Sequence, residues 1–181
     1  MIISSDTYIA CMCEGGVEDA IMNILLDNDL LCFSREQLLH EQTIRRCKAK
    51  DFEQRYLGRE YEKQITIIRV LDSRGENFNL RTAYKHQVDK VVDIITAPEI
   101  EMLVIIAEEK YEDFHSKRHQ HKKPSDYCKQ VLKLKDVKKR GFIQDYFSDV
   151  KKLLNAIKEY DRLHKKRDGE LSLADLLKSN P

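Results

Sequence analysis

The chain has 181 residues, 41% of them hydrophobic, which is enough for one domain to bury a core without leaning on disulfides or metals. Charged residues make up 35%, but 32 Lys/Arg against 31 Asp/Glu leave a net charge of +1, so bulk charge argues for neither a nucleic acid nor a membrane and any electrostatic case must be local. The five cysteines form no CxxC pair and read as reduced thiols. Met1–Ser5 lacks a basic region followed by an apolar leader, and no apolar run reaches membrane-spanning length, so a cytoplasmic protein with no membrane partner is expected.

In chain order, Tyr8–Cys13 is an apolar run that stops at Glu14-Gly15-Gly16, after which Val17, Ala20, Ile21, Ile24 and Leu25 recur at helical spacing. This predicts strand, tight turn, helix. Leu30–Phe33 reads as a short second strand, and Ser34 with Gln37 matches a capping box opening a charged helix to about Leu57. Gln64–Leu71, rich in β-branched residues, predicts a central strand that ends at the turn-forming Asp72-Ser73-Arg74-Gly75. A short helix around Ala83–Val88, a strand at Val91–Ile95 and a helix from about Pro98 to His115 follow. Strands alternating with helices predict an α/β core over residues 1–115, a mostly parallel sheet of about four strands with helices on both faces.

Residues 116–181 differ, and read as a basic segment and helical extension packed on the same domain. Lys117–Arg140 holds ten Lys/Arg against Asp126 and Asp136, reads as the only strongly basic stretch, and breaks at Pro124-Ser125. A long amphipathic helix is expected after Gly141, carrying Ile143, Tyr146, Phe147, Val150, Leu153, Leu154, Ile157 and Tyr160 on one face, and ends by Asp168-Gly169. Ser172 caps a short last helix with Leu173, Leu176 and Leu177.

In a parallel α/β sheet, ligands bind beyond the carboxyl ends of the strands. Those ends are acidic here: Glu14 and Glu18 after the first strand, Asp72 after the central one, Glu99 and Glu101 after the next. Converging carboxylates repel one another unless a cation neutralises them, and oxygen-only donors suit Mg²⁺ or Mn²⁺.

Cys13-Glu14-Gly15-Gly16-Val17-Glu18, Asp72 at the end of a later apolar strand, and Pro98-Glu99-Ile100-Glu101 together resemble the Toprim domain of topoisomerases, primases and OLD-type nucleases, most closely the small Toprim-like proteins of the RloB and abortive-infection kind. The resemblance spans roughly residues 6–115. It implies a Mg²⁺-dependent nuclease acting on RNA or DNA, an effector in antiviral defence with a possible partner such as a defence-system ATPase. Glu14, Glu18 and Asp72 would then be catalytic, and Glu14, Asp72, Glu99 and Glu101 would be metal ligands. One feature departs from the pattern: where Toprim proteins carry Asp-x-Asp, this chain has Asp72-Ser73-Arg74, so one expected ligand is missing.

Plainer readings compete with each of these. Glu14 and Glu18 suit the positive end of a helix, Asp72 can initiate a turn, Thr96 with Glu99 makes a capping box, and Glu101 can be a solvated acid. His115, His119 and His121 with Cys128 are a weak zinc pattern, and Cys11 and Cys13 are expected on opposite faces of their strand. Lys117, Arg118, Lys122, Lys123, Lys138, Lys139 and Arg140 form either a solvated face or a nucleic-acid surface. Three functions follow: the nuclease, a non-catalytic Toprim-like module that binds a partner protein or nucleic acid, and a regulatory subunit whose long helix around Phe147 to Tyr160 docks onto a partner. The nuclease requires the Glu14 and Asp72 carboxylates within roughly 4 to 6 Å of each other. It also requires that neither be held in an ion pair with Lys or Arg; if either is, the binding module takes precedence.

Overall fold

A computed structural model describes residues 3–178. Four parallel strands form one sheet in the order β2-β1-β3-β4: β1 (Tyr8–Cys13), β2 (Ile44–Arg45), β3 (Ile65–Leu71) and β4 (Val88–Ile95). All seven residues of β3 are buried, as a β-branched run at the centre of a sheet covered on both faces should be. The helices are α1 (Gly16–Asp27), α2 (Ala49–Tyr56), α3 (Met102–Ala107), α4 (Tyr111–Phe114), α5 (Pro124–Gln130), α6 (Arg140–Tyr146) and α7 (Val150–Leu163).

Side-chain alternation splits the core in two. Ile9, Cys11 and Cys13 of β1, Ile68 and Val70 of β3, and Val92 and Ile94 of β4 face α1, α3, α5, α6 and α7. Ala10, Met12, Ile65 and Ile67 face the other way, against Phe52 of α2 and Leu57. Cys11 and Cys13 therefore lie on the same face, correcting the expectation above, because residues two apart on a strand point the same way. Both are buried in the larger core.

Several boundaries also move. Leu30–Phe33 adds no strand to the sheet; Leu31 makes an isolated antiparallel bridge to Leu177. The Ser34/Gln37 box forms, with Gln37 Oε1 accepting from Ser34 N–H at 3.1 Å, but it opens only a 3-10 turn, Arg35–Gln37. The second strand comes later, at Ile44–Arg45. Thr96 does not cap a helix from Pro98: its hydroxyl and its N–H both donate to Leu71 O, and the helix begins at Met102. The long C-terminal helix is interrupted at Phe147–Asp149, where the Asp149 carboxylate accepts from Lys151 N–H at 3.0 Å and starts α7 afresh. Among the described residues no helix is long and apolar enough to cross a membrane.

Among the described residues Asp149 is the one α-helix N-cap whose side chain bonds into its own first turn, and its loss should be felt. D149A is expected to lower unfolding free energy by about 1 kcal/mol in urea titrations.

Candidate functional site

The chain runs from β1 through α1 to β2 on one side of β1 and then returns to place β3 on the other. The strand order therefore reverses between β1 and β3, where α/β sheets open a crevice. Each of these two strands delivers a carboxylate as it exits. Asp72 N–H donates to Glu14 Oε2 at 3.1 Å, which sets the two acids side by side. Glu18, in the first turn of α1, folds back to accept Gly15 N–H at 3.0 Å. A Cβ at Gly15 would stand 3.0 Å from that same oxygen, so a side chain there would require the Glu18 carboxylate to give by a few tenths of an ångström. Glu99 and Glu101 enter from the segment after β4. These five carboxylates and Lys138 line one cavity of about 180 Å³.

Their protonation reflects the crowding. Burial, together with the neighbouring Asp72 carboxylate, raises Glu14 above the usual carboxylate range, against the pull of the Asp72 N–H and Arg46. Burial raises Glu18 as well, with Glu14 and Asp72 adding to it. Glu101 is pushed up to about 7, chiefly by burial and further by Glu99 and Glu18, although Lys138 Nζ lies 3.8 Å away. Glu99 moves the opposite way: burial alone would raise it, but Ser125 N–H at 2.8 Å and Lys138 Nζ at 3.3 Å hold it low. The capping role expected for Glu99 is thus replaced by a contact with the start of α5, and the solvated reading of Glu101 by burial at 4% exposure.

The condition for the nuclease is met only in part. Glu14 and Asp72 adjoin, but Arg46, from just after β2, pairs with Glu14 and also with Glu76. Glu76 in turn holds Arg69 at 3.0 Å, and Arg69 holds Asp93 at 3.2 Å, so charges alternate along the carboxyl side of the sheet. Arg74, at the position of the second Asp in Asp-x-Asp, is bidentate to Glu170 at 2.7 and 2.9 Å and lies 2.8 Å from His164 Nε2. It anchors the C-terminal segment.

Oxygen donors suit a hard divalent cation, yet among the described residues no three His, Cys, Asp or Glu side chains are grouped to hold a metal ion. Glu14 is in addition paired with Arg46. The histidines are dispersed: His115 and His121 are exposed, while His119 is buried edge-on against Tyr127, 5.1 Å between ring centroids. Cys128 is fully buried.

The basic stretch is partly neutralised. Lys138 engages Glu99 and Glu101, Lys139 pairs with Asp136 at 2.9 Å, and Arg140 with Asp19 at 2.8 Å where α6 packs on α1. Lys122 donates to Gln130 at 2.5 Å; Lys117, Arg118 and Lys123 are exposed and make no ion pair among the described residues. A second cationic run, Arg45-Arg46-Cys47-Lys48-Ala49-Lys50 with Arg55, corrects the reading of Lys117–Arg140 as the only one. Its spacing was visible in the sequence, but a helix assumed from Ser34 to Leu57 concealed that these residues flank a strand end. Arg46, Glu76 and Glu170 were likewise unmarked.

Fold and site together define an α/β protein with an acidic cavity at the switch point of a parallel sheet. In comparisons with known proteins, no family model, curated protein or solved structure matches the chain.

Two outcomes are expected from this geometry. The unfolded chain releases the Glu101 proton near 4.5, whereas the folded protein keeps it to about 7, so this group's contribution to stability falls as pH rises between those values and stays low above them. E101Q, which cannot ionise, should therefore melt higher than wild type at alkaline pH and lose that advantage on acidification below the unfolded value. At Arg74, R74A should cost about 2 kcal/mol by leaving Glu170 without its bidentate partner. R74D, which restores Asp-x-Asp, should cost more, since it sets a carboxylate against Glu170; chemical denaturation of both variants checks this.

Proposed function

We propose that this chain is a non-catalytic Toprim-like module that binds nucleic acid, with the acidic cavity as a structural remnant of the Toprim pattern in which Arg46 supplies the neutralising charge. The observation that carries this reading is the ion pair between Arg46 and Glu14, the acid on which metal chemistry would depend. Arg74 in place of the second Asp supports it. A role in antiviral defence and a partner such as a defence-system ATPase belong to the same reading through the Toprim resemblance alone, and a cytoplasmic location is proposed with it.

A Mg²⁺-dependent nuclease acting on RNA or DNA is the second reading, favoured by the convergence of five carboxylates on one cavity. Glu14 and Asp72 would be the ligands, with Glu18, Glu99 and Glu101 nearby. Arg46 has Glu76 as an alternative partner, and an ion pair with this much exposure is worth at most about 1 kcal/mol, so a divalent cation could displace it.

Thermal melts with Mg²⁺, compared at matched ionic strength, separate the two. The binding module should melt at the same temperature with and without the metal, and leave tRNA, single-stranded DNA and duplex DNA intact with Mn²⁺. Stabilisation by Mg²⁺ that disappears in E14Q and grows in R46A, together with cleavage of any of these substrates, would establish the nuclease instead.

A further inference from the structure

A groove of about 970 Å³ opens beside the acidic cavity, between the end of β2, the N-terminal end of α2 and the segment Glu76–Phe78. Six cationic side chains line it: Arg45, Arg46, Lys48, Lys50, Arg55 and Arg69. Of its two acids, Asp51 and Glu76, the second is already paired with Arg46 and Arg69. Arg45, Lys48, Lys50 and Arg55 are exposed or on the rim and carry no ion pair among the described residues. No side chain caps the first turn of α2, so its free N–H groups add to the positive field at that end. The Phe78 ring, with Arg69 stacked 4.9 Å from its centroid, supplies an aromatic wall.

We propose that this groove binds the sugar-phosphate backbone of a single-stranded nucleic acid, with Arg45, Lys48, Lys50 and Arg55 as the phosphate contacts. Like charges gathered without partners repel one another, and a polyanion removes that repulsion while releasing its own counterions. A concave channel with cationic rims and an aromatic side chain suits one flexible strand better than a rigid duplex. The Lys117–Arg140 stretch is the weaker surface, because Lys138, Lys139 and Arg140 already face carboxylates. At its inner end the groove meets Arg46 and, through it, Glu14, so a bound strand would lie beside the acidic cavity.

This inference rests on nucleic acid being the ligand of the module. Fluorescence anisotropy of short labelled single-stranded RNA and DNA, in EDTA, tests it without involving the cavity's metal chemistry. Wild type should bind with a log–log salt dependence between about 50 and 200 mM, and R45A/K48A/R55A should bind at least about tenfold more weakly with the slope reduced by about 2. K117A/R118A/K123A should bind like wild type, and duplex should compete less well than single strand. A groove variant that binds as tightly and as salt-dependently as wild type, with an unchanged circular dichroism melt, overturns the groove and leaves nucleic-acid binding standing. Failure of wild type to bind at low salt overturns both. Displacement of the oligonucleotide by poly-glutamate at equal charge concentration assigns the groove to an acidic protein instead, and also overturns the proposal.

Discussion

The parallel pairing of β1 with β3 governs the chemistry of this molecule. Cys13 is in register with Val70, so the two chains leave the sheet together, and the next residues out include Glu14 and Asp72. Neither acid could be brought there by local sequence alone; 58 positions separate them. The pairing is secured by burial, because every residue of β3 and all but the first of β1 is buried between two helical layers. The adjacency of the carboxylates is thus a by-product of a buried parallel strand pairing.

Adjacent acids need neutralising charge, and the protein supplies it from two sides. Arg46 arrives from β2 and Lys138 from the loop before α6, each shared between two carboxylates. Burial outweighs pairing for Glu14 and Glu101, and both keep raised pKa values despite a cation within reach, whereas Glu99, which shares Lys138 but also accepts from Ser125 N–H, is held low. Glu170 shows the contrast: a dedicated bidentate arginine keeps its carboxyl low.

What the sequence disclosed follows from the range of the interactions involved. Strands β1, β3 and β4 and the acidic strand ends are written in local patterns, apolar and β-branched runs and Glu-Gly-Gly after an apolar segment, whereas the two-residue β2, which lies inside the stretch read as a helix, is not. Ser34 with Gln37 also formed its box as the pattern predicts, but the pattern says nothing of how far a helix continues, and only a 3-10 turn followed. Glu99 illustrates a different limit. Its capping partner Thr96 is drawn to Leu71 O on the neighbouring strand, which frees Glu99 to accept from Ser125, 26 positions away. The same holds for charge: ten cations in Lys117–Arg140 are prominent in the sequence, yet tertiary packing sets acids against Lys138 and Arg140, while in the quieter run at Arg45–Arg55 only Arg46 faces acids and Arg45, Lys48, Lys50 and Arg55 make no ion pair among the described residues.

Arg46 joins the two halves of this surface, since it lines the cationic groove and also neutralises Glu14. A guanidinium has a limited number of donors, and a phosphate in the groove would compete with the Glu14 carboxylate for them. Occupying the groove would therefore leave Glu14 with less counter-charge, beside Asp72 and Glu18, in a setting where burial already disfavours its ionised form. Glu14 must then take up a proton or attract another cation. The non-catalytic module follows the first course and the nuclease the second, so the distinction between them reduces to what replaces Arg46 at Glu14 once a polyanion has engaged it.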